Sequence, residues 1–429
     1  MMVSLIFLID LAILFWIARW LWLKQSGQMR TIFWPALAVK IFAGLAVGWI
    51  YFYYYGRGDT IAYWYDGKLV AEKIVSDPLS TLNFYWDDGA FQWDGLMNHR
   101  PRSLFFVKIS GLLAFLCGGS YWMMALIISF CSFLGAWYLC VKAICFFPDS
   151  RLPAILAFLF YPSAVFWSSG LIKESLGLGA LYFLSGIILM LINQRKVQGW
   201  EWAVALVSLW ISWNLKYYWV GVFIPIAITT VLVIMIKSFK PAFKLYELSI
   251  WIGLFILLLL GASSIHPNFY PSRILWVIWE NNLEFMALTN SSNAIHYHDL
   301  GPSFNSMLLN VPQALVSGIF RPFVWEAHNV TSMAAGIENL VLVIITLMAI
   351  PSVHKLVSSP NRILVLALLA YILILATLLA LSTPNLGTLS RYKVGFLPFL
   401  VYLLLCHNQW LTRLVNLNQV LKPHINEVK

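Results

Sequence analysis

Charged residues are scarce in this chain of 429 residues, and their scarcity excludes most classes of soluble protein. Asp, Glu, Lys and Arg make up 11% of the sequence, whereas 61% of the residues are hydrophobic. A soluble domain usually carries about 25% charged residues. This composition predicts a polytopic membrane protein, because long apolar segments are stable when lipid surrounds them.

The sequence also lacks the features of several other classes. Five cysteines without metal-ligand or disulfide spacing indicate small core residues: Cys117, Cys131, Cys140, Cys145 and Cys406. The net charge of +10 comes from basic residues spread between apolar segments, so no nucleic acid partner is expected. Neither a Gly/Ser- or Pro-rich linker nor a fixed repeat divides the chain. We therefore predict one integral-membrane domain over residues 1–429.

Apolar runs of about the 20 residues that a bilayer requires recur along the chain. They predict an all-α fold with about eleven transmembrane helices, near residues 3–23, 31–54, 120–142, 152–168, 174–193, 200–215, 217–237, 248–264, 336–353, 361–381 and 393–409. A further apolar run at 104–118 would reverse the side of every later loop if it crossed the bilayer. We interpret it as a helix lying at the outer interface.

The basic residues of the short loops set the expected orientation. Counted over these spans, they fall mostly on one side, which is cytoplasmic by the positive-inside rule. The N-terminus is then outside and the C-terminus cytoplasmic, in a membrane of the bacterial inner (plasma) membrane type. Two long outer loops, residues 55–119 and 265–335, carry most of the remaining polar residues. Any chemistry is expected on the outer face.

The first outer loop opens with an acid directly after an aromatic run. In "YFYYYGRGDT", Asp59 follows two glycines, which allow close approach of another backbone or a ligand. Residues 61–75 alternate apolar and charged side chains at helical spacing, which predicts an amphipathic interfacial helix with Asp66 on its polar face. Asp59 would lie under this helix, at the membrane surface.

Four other ionisable residues stand beside apolar segments: Glu174, Lys216, Arg321 and Arg391. Such residues are costly in a membrane and are therefore functional candidates. Simpler interpretations remain open, since Glu174 can complement a helix dipole or pair with Lys173, and the long basic side chains can extend to the interface.

Two further ionisable residues, Asp10 and Lys40, lie at membrane depth, and we expect them to pair across the first two helices. At the outer face, by contrast, carboxylates occur together with cations held near the membrane. This combination suits transfer of a group from a phosphate-linked donor. In such a reaction an acid deprotonates or orients the nucleophile, and cations stabilise the departing phosphate.

The order of these motifs resembles the GT-C superfamily of integral-membrane glycosyltransferases, in particular protein mannosyltransferases and lipid A aminoarabinose transferases. The matching segments cover residues 55–235 and 388–400: "GDTIAYW", "HRPRSLFF", "YPSAVFWSSGLIKESL", "WISWNLKYYW" and "SRYKVGFLPFL". The family's paired first-loop acids are a single Asp here, its His-Pro-Pro is approximate at His99–Pro101, and an additional span precedes its usual first helix.

The resemblance implies an inverting transfer from a polyprenyl-phosphate-linked sugar to a glycan, lipid or protein acceptor. It implies Asp59 as general base and Glu174 as a second catalytic acid. The donor phosphate would meet Lys216, Arg321 or Arg391, and the sugar or acceptor would contact Asp88, Trp93 and His99. Some members use a divalent cation such as Mg²⁺ or Mn²⁺, for which Asp59 and Glu174 offer oxygen ligands. The sequence contains no closed ligand cluster, so the use of a metal stays open.

Two rival functions remain. An oligosaccharide repeat-unit polymerase of the O-antigen type would use Arg273 and Arg321 beside the second outer loop. A transporter of lipid-linked glycans is the rival outside enzymes, although the chain has neither repeated halves nor a series of acids in mid-span.

Overall fold

The computed structural model describes residues 2–86, 95–239, 246–406 and 408, and these residues fold almost entirely into helices. Within these ranges the only β-type pairing is an isolated bridge between Ala294 and Asn385. The α-helices are α1 Met2–Leu23, α2 Gly27–Trp49, α3 Asp59–Ser76, α4 Pro78–Trp86, α5 Pro101–Leu116, α6 Tyr121–Phe146, α7 Arg151–Ile155, α8 Pro162–Trp167, α9 Lys173–Ile192, α10 Gly199–Phe239, α11 Glu247–Ile265, α12 Pro271–Leu288, α13 Phe304–Phe320, α14 Val330–Ala349, α15 Val353–Val357, α16 Arg362–Ser382, α17 Leu386–Tyr392 and α18 Leu397–Leu405.

Eight of the described helices are long and apolar enough to cross a membrane, and a bent pair formed by α17 and α18 makes up to nine. The chain is therefore an all-α, multi-pass membrane protein, and the expected count of eleven is not confirmed. Two of the expected spans lie in one helix, α10, which continues through a break at Lys216. The expected span at 152–168 consists of short helical pieces instead, with Pro162 starting a new one.

The residues group into two compact units. The first contains Met1–Phe146 and Phe158–Gly221, and the second contains Phe147–Ala157 and Val222–Lys429. In the first unit α6 packs along α9 and α3 packs along α5. The α3–α5 contact is close because Gly67 faces Ser110, whose backbone would lie 3.0 Å from an added Cβ.

Helix α5 contains most of the run 104–118 and, with 16 residues, is not among the candidate spans. Its neighbour α4 is tied to it by a reciprocal pair of bonds. The Tyr85 hydroxyl donates to the Lys108 carbonyl at 2.7 Å, and the Lys108 ammonium donates to the Tyr85 carbonyl at 3.2 Å. Burial raises the pKa of Tyr85 to about 12, so this hydroxyl stays a donor at physiological pH.

Asp66 lies inside the first unit, and its expected place on a polar helix face was wrong. The residue is 1% exposed. Its carboxylate accepts bonds from the backbone N–H of Met97 at 2.8 Å and from the backbone and side-chain N–H groups of Asn98 at 3.0 and 2.7 Å. The acid therefore fixes the segment before α5 onto α3, because a buried carboxylate needs such donors.

The expected pairing of Asp10 with Lys40 was also wrong. The buried Lys40 ammonium donates to the Ser168 hydroxyl, while Asp10 accepts a bond from Cys117. Burial, together with the Asp10 charge, raises the pKa of Cys117 to about 12, so the thiol remains protonated. No disulfide joins the five cysteines, all of which lie within the described ranges. Cys131 and Cys145 are exposed, so the expectation that all five are core residues was wrong for these two.

Three basic residues that contributed to the expected orientation are bound to buried acids. In the first unit Glu201 accepts from Lys142 at 3.4 Å. In the second unit Glu247 pairs with Lys237 at 2.9 Å and with Arg362. Because Lys237, Glu247 and Arg362 lie at the ends or beginnings of α10, α11 and α16, this cluster joins three helix termini. These cations therefore join helices within each unit, and the orientation that they suggest stays a prediction.

In the second unit α13 and α12 pack on α16, and α14 packs on α18. An extended segment that begins at Ala294 is attached to them at several points. The Ile295 N–H donates to the Pro384 carbonyl at 2.7 Å, and Asn310 on α13 bonds both backbone groups of His298. Part of the expected second outer loop is thus a firmly held segment between helices.

Candidate functional site

Asp59 is the first residue of α3, and the two glycines before it set that start. Gly56 and Gly58 have φ angles of 65° and 139°, which favour glycine. A Cβ on Gly58 would lie 2.4 Å from the Tyr51 ring, whereas one on Gly56 would meet nothing within 4 Å. The Tyr51 ring therefore leaves no room for a side chain at position 58. Only Gly56 has the open space for another group that the sequence suggested for both glycines.

The residue after Asp59 fixes the beginning of the helix. The buried Thr60 hydroxyl bonds the Tyr121 hydroxyl at 2.8 Å, which joins α3 to α6. Asp59 itself is half-exposed. A carboxylate that is held on a fixed backbone and remains reachable suits a base that must meet a substrate hydroxyl.

Glu174 and Lys216, two residues selected from the sequence, form a buried ion pair. The Lys216 ammonium lies 2.6 Å from the Glu174 carboxylate, and the two residues are 2% and 1% exposed. Glu174 lies in the first turn of α9, where the helix dipole stabilises an anion. The structure thus brings together two residues that are 42 positions apart in the sequence.

Lys216 occupies the break in α10. Its φ and ψ angles of −142° and 55° are not helical, so the first half of α10 ends beside its ammonium. A cation is favourable at a helix C-terminus. Gly177 on α9 leaves room for the side chain, since an added Cβ would lie 3.2 Å from Lys216 Cγ. The break and the ion pair therefore belong to one local arrangement.

A chain of contacts joins α3 to this ion pair. Tyr63 lies one turn after Asp59, and its hydroxyl donates to Ser103 Oγ at 3.4 Å. The Lys173 ammonium donates to the same oxygen at 3.2 Å. Since Glu174 is the next residue, Asp59, Glu174 and Lys216 belong to one region of the first unit.

The expected contacts to sugar or acceptor are only partly described. His99 is exposed, next to Asn98, which Asp66 holds in place. Asp88 and Trp93 lie outside the described residues. The roles of all three stay predictions.

The two arginines expected to bind phosphate lie in the second unit. Arg321, just after α13, forms an ion pair with Glu326, whose carboxylate also accepts the Phe323 N–H at 2.8 Å. Arg391 lies near the end of α17, with its guanidinium 5.5 Å from the centroid of the Tyr392 ring. The charge of Arg321 is therefore already matched by an acid within its own unit.

Lys393, which the sequence analysis did not select, is buried in the bend between α17 and α18. Its ammonium donates to the carbonyls of Ile319 at 3.4 Å and Arg321 at 3.5 Å, and to the Asn339 side chain. The Glu338 charge also attracts it. The only sequence feature that could have indicated a role for Lys393 was its position between Arg391 and the Leu-Pro start of α18.

Two further residues of the first unit were also missed. Lys173 was considered only as a partner of Glu174, and Ser103 was not considered, because a contact between positions 70 apart leaves no local pattern. For a metal, the described residues contain no group of three His, Cys, Asp or Glu side chains placed to hold one. The use of a cation by Asp59 and Glu174 stays a prediction.

Comparisons with known proteins do not add a family to these observations. No protein-family model matches the chain, no curated protein is similar to it, and no solved structure matches it. The membrane-helix architecture and the residues described above therefore carry the functional argument.

Proposed function

We propose that this protein is a membrane glycosyltransferase that transfers a sugar from a polyprenyl-phosphate-linked donor to an acceptor hydroxyl at the outer face of the membrane. The carrying observation is the connected set of Asp59, Glu174 and Lys216 in the first unit, linked through Tyr63, Ser103 and Lys173. This set supports the proposal because the reaction needs an acid to accept a proton and cations to stabilise the departing phosphate.

The proposed reaction is a single displacement. Asp59 accepts the proton of the acceptor hydroxyl while that oxygen forms a bond to the anomeric carbon of the sugar. The bond between this carbon and the phosphate oxygen breaks, and the lipid phosphate leaves with the electron pair. The configuration at the anomeric carbon is inverted, and no covalent sugar–enzyme intermediate forms.

Glu174 and Lys216 have a supporting part in this proposal. The Glu174 carboxylate is engaged by the Lys216 ammonium at 2.6 Å inside the unit, whereas Asp59 is half-exposed. The pair holds the break of α10 against the start of α9, so it fixes the position of the neighbouring Lys173. We assign the base to Asp59 alone.

The Asp59→Asn variant tests this proposal. Cells that lack the gene are complemented with the wild type, with Asp59→Asn or with Asp77→Asn, and their glycans and lipid-linked sugars are measured by mass spectrometry. Loss of general base catalysis lowers a rate by about 10²- to 10⁴-fold, so Asp59→Asn should leave donor unused. Asp77 is an exposed acid that bonds the Ser80 N–H before α4, and asparagine preserves this type of cap.

The outcomes separate the rival functions. Wild-type glycans in cells carrying Asp59→Asn would contradict the assigned base. A polymerase would change the number of repeat units per chain, without changing the sugar composition of a unit. A transporter would leave transfer in isolated, opened membranes unaffected by loss of the gene.

A further inference from the structure

Ser103 is a buried hydroxyl at which two donors meet. It lies in the first turn of α5 and accepts bonds from the Tyr63 hydroxyl and from the Lys173 ammonium. Its own hydroxyl hydrogen has no acceptor among the described residues. A hydroxyl whose oxygen already accepts two hydrogen bonds, and whose hydrogen is still available to donate, is suited to binding an anion.

Two cations flank this hydroxyl. Lys173 is half-buried at the start of α9, with its ammonium 5.6 Å from the centroid of the Tyr63 ring. Arg102, the residue before Ser103, is exposed and lies over the Tyr217 ring at 4.3 Å from its centroid. Tyr217 follows Lys216, so this stacking directs the guanidinium toward the same region of the unit. An arginine fork and a lysine point charge together recognise phosphate well.

Lys216, the cation that the sequence suggested for phosphate, is less suitable. Its ammonium is 2.6 Å from the Glu174 carboxylate, and both residues are buried. Binding a phosphate there would bring a second anion next to Glu174, and like charges at that distance repel. The ion pair engages Lys216 directly with an acid, whereas Lys173 donates to Ser103 and Arg102 precedes Ser103 in the sequence.

We infer that Arg102, Ser103 and Lys173 form the subsite for the phosphate of the lipid-linked donor. This inference rests on the proposed function, since it places the phosphate in the region that contains Asp59. Asp59 lies one turn before Tyr63, so a sugar attached to a phosphate at Ser103 would be on the side of the proposed base. The inferred phosphate subsite therefore lies at the start of α5 and α9, and not at Lys216 as expected from the sequence.

Binding of farnesyl phosphate to the full-length protein tests the subsite. The protein is placed in nanodiscs of zwitterionic lipid, and farnesol serves as the matched ligand without phosphate. Wild type should prefer farnesyl phosphate. Arg102→Gln and Lys173→Gln should each weaken its binding about tenfold or more, the effect of losing a charged hydrogen bond. Ser103→Ala should weaken it less, and farnesol binding should not change.

Three controls separate charge at this site from charge elsewhere. Lys73→Gln removes a cation near the other end of α3 and should bind like wild type. Arg102→Lys should bind farnesyl phosphate more tightly than Arg102→Gln, because it keeps the positive charge. It also shows whether a substitution at position 102 is compatible with the fold. Inorganic phosphate and anionic phospholipid are added in separate competitions. Competition by phosphate would show that the subsite takes the free anion, and competition by the phospholipid that it takes a lipid headgroup.

Equal binding of farnesyl phosphate and farnesol by the wild type would overturn the inference. So would wild-type affinity in both Arg102→Gln and Lys173→Gln, or a loss confined to the double variant Glu174→Gln/Lys216→Gln, which would place the phosphate at Lys216. Failure of the proposed function looks different. In that case phosphate-dependent binding persists and responds to Arg102 and Lys173, while no sugar transfer depends on Asp59.

Discussion

Lys216 in the first unit and Lys393 in the second are both buried at interruptions of membrane helices, but different chemistry holds them. Lys216 meets a carboxylate directly, at 2.6 Å. Lys393 donates to two backbone carbonyls and one side-chain amide oxygen, with Glu338 as an additional attraction. The first arrangement is an ion pair whose partners depend on each other. The second is a cation in a cage of neutral oxygens.

This difference explains why a buried lysine in a membrane protein is not by itself a ligand site. Lys393 connects the end of α13 to α14 and to the bend of 64° between α17 and α18. Its ammonium N–H groups therefore donate to acceptors of the protein itself. Lys216 is likewise engaged. Lys173, the residue before Glu174, donates to Ser103 at 3.2 Å. The inferred phosphate subsite therefore uses a neighbour of the buried pair and not the pair itself.

Removing one member of the ion pair should have the largest effect on stability. Glu174→Gln leaves the Lys216 charge buried without its carboxylate, which costs about 3–5 kcal/mol. The measurement is reversible unfolding of the full-length protein in mixed micelles, followed by tryptophan fluorescence. Glu72→Gln, at an exposed position of α3, is the control and should change the free energy of unfolding by less than about 0.5 kcal/mol. Equal values for the two variants would contradict a tight buried pair.

Lys393→Met should have an intermediate effect. It leaves the oxygens of Ile319, Arg321 and Asn339 without their donor, at about 1–3 kcal/mol for each unsatisfied group. Removal of a buried charge offsets part of this loss, so we expect a net destabilisation of about 1–3 kcal/mol. Lys355→Met, at an exposed position, is the control in the same unfolding experiment. A destabilisation larger than that of Glu174→Gln would reverse the comparison between the two lysines.

Replacing both members of the ion pair should have the smallest effect. The double variant Glu174→Met/Lys216→Met removes both charges and fills a similar volume, so its stability should lie within about 1 kcal/mol of the wild type or above it. The coupling energy from the double-mutant cycle then measures the pair itself. Additive losses from the two single variants would mean that the residues act independently.

Much of the fold could be predicted from the sequence, because the signals are local. Apolar runs of membrane length predicted the class, and the helical spacing of residues 61–75 predicted most of α3, which spans Asp59–Ser76. The number of spans could not be predicted, since α10 continues past the break at Lys216 and α7 and α8 are short pieces around Pro162. Asp66 was misplaced because its three donors come from a segment about 30 residues away.

The site was partly predictable for the same reason. Glu174 and Lys216 stood out singly as ionisable residues in apolar surroundings, but their pairing depends on the packing of α9 against α10. The role inferred for Ser103 required the positions of Tyr63 and Lys173, which come from two other helices. Contacts that distant in the sequence are decided by tertiary packing, for which hydropathy and spacing give no signal.

The ion pair at the break of α10 also bears on how the chain is made. Glu174 leaves the ribosome 42 residues before Lys216, so α9 is synthesised before its buried acid can meet the lysine. An isolated acid is costly in lipid. We therefore expect the start of α9 to stay at the insertion machinery until the first half of α10 arrives, so that the two helices enter the bilayer as a pair.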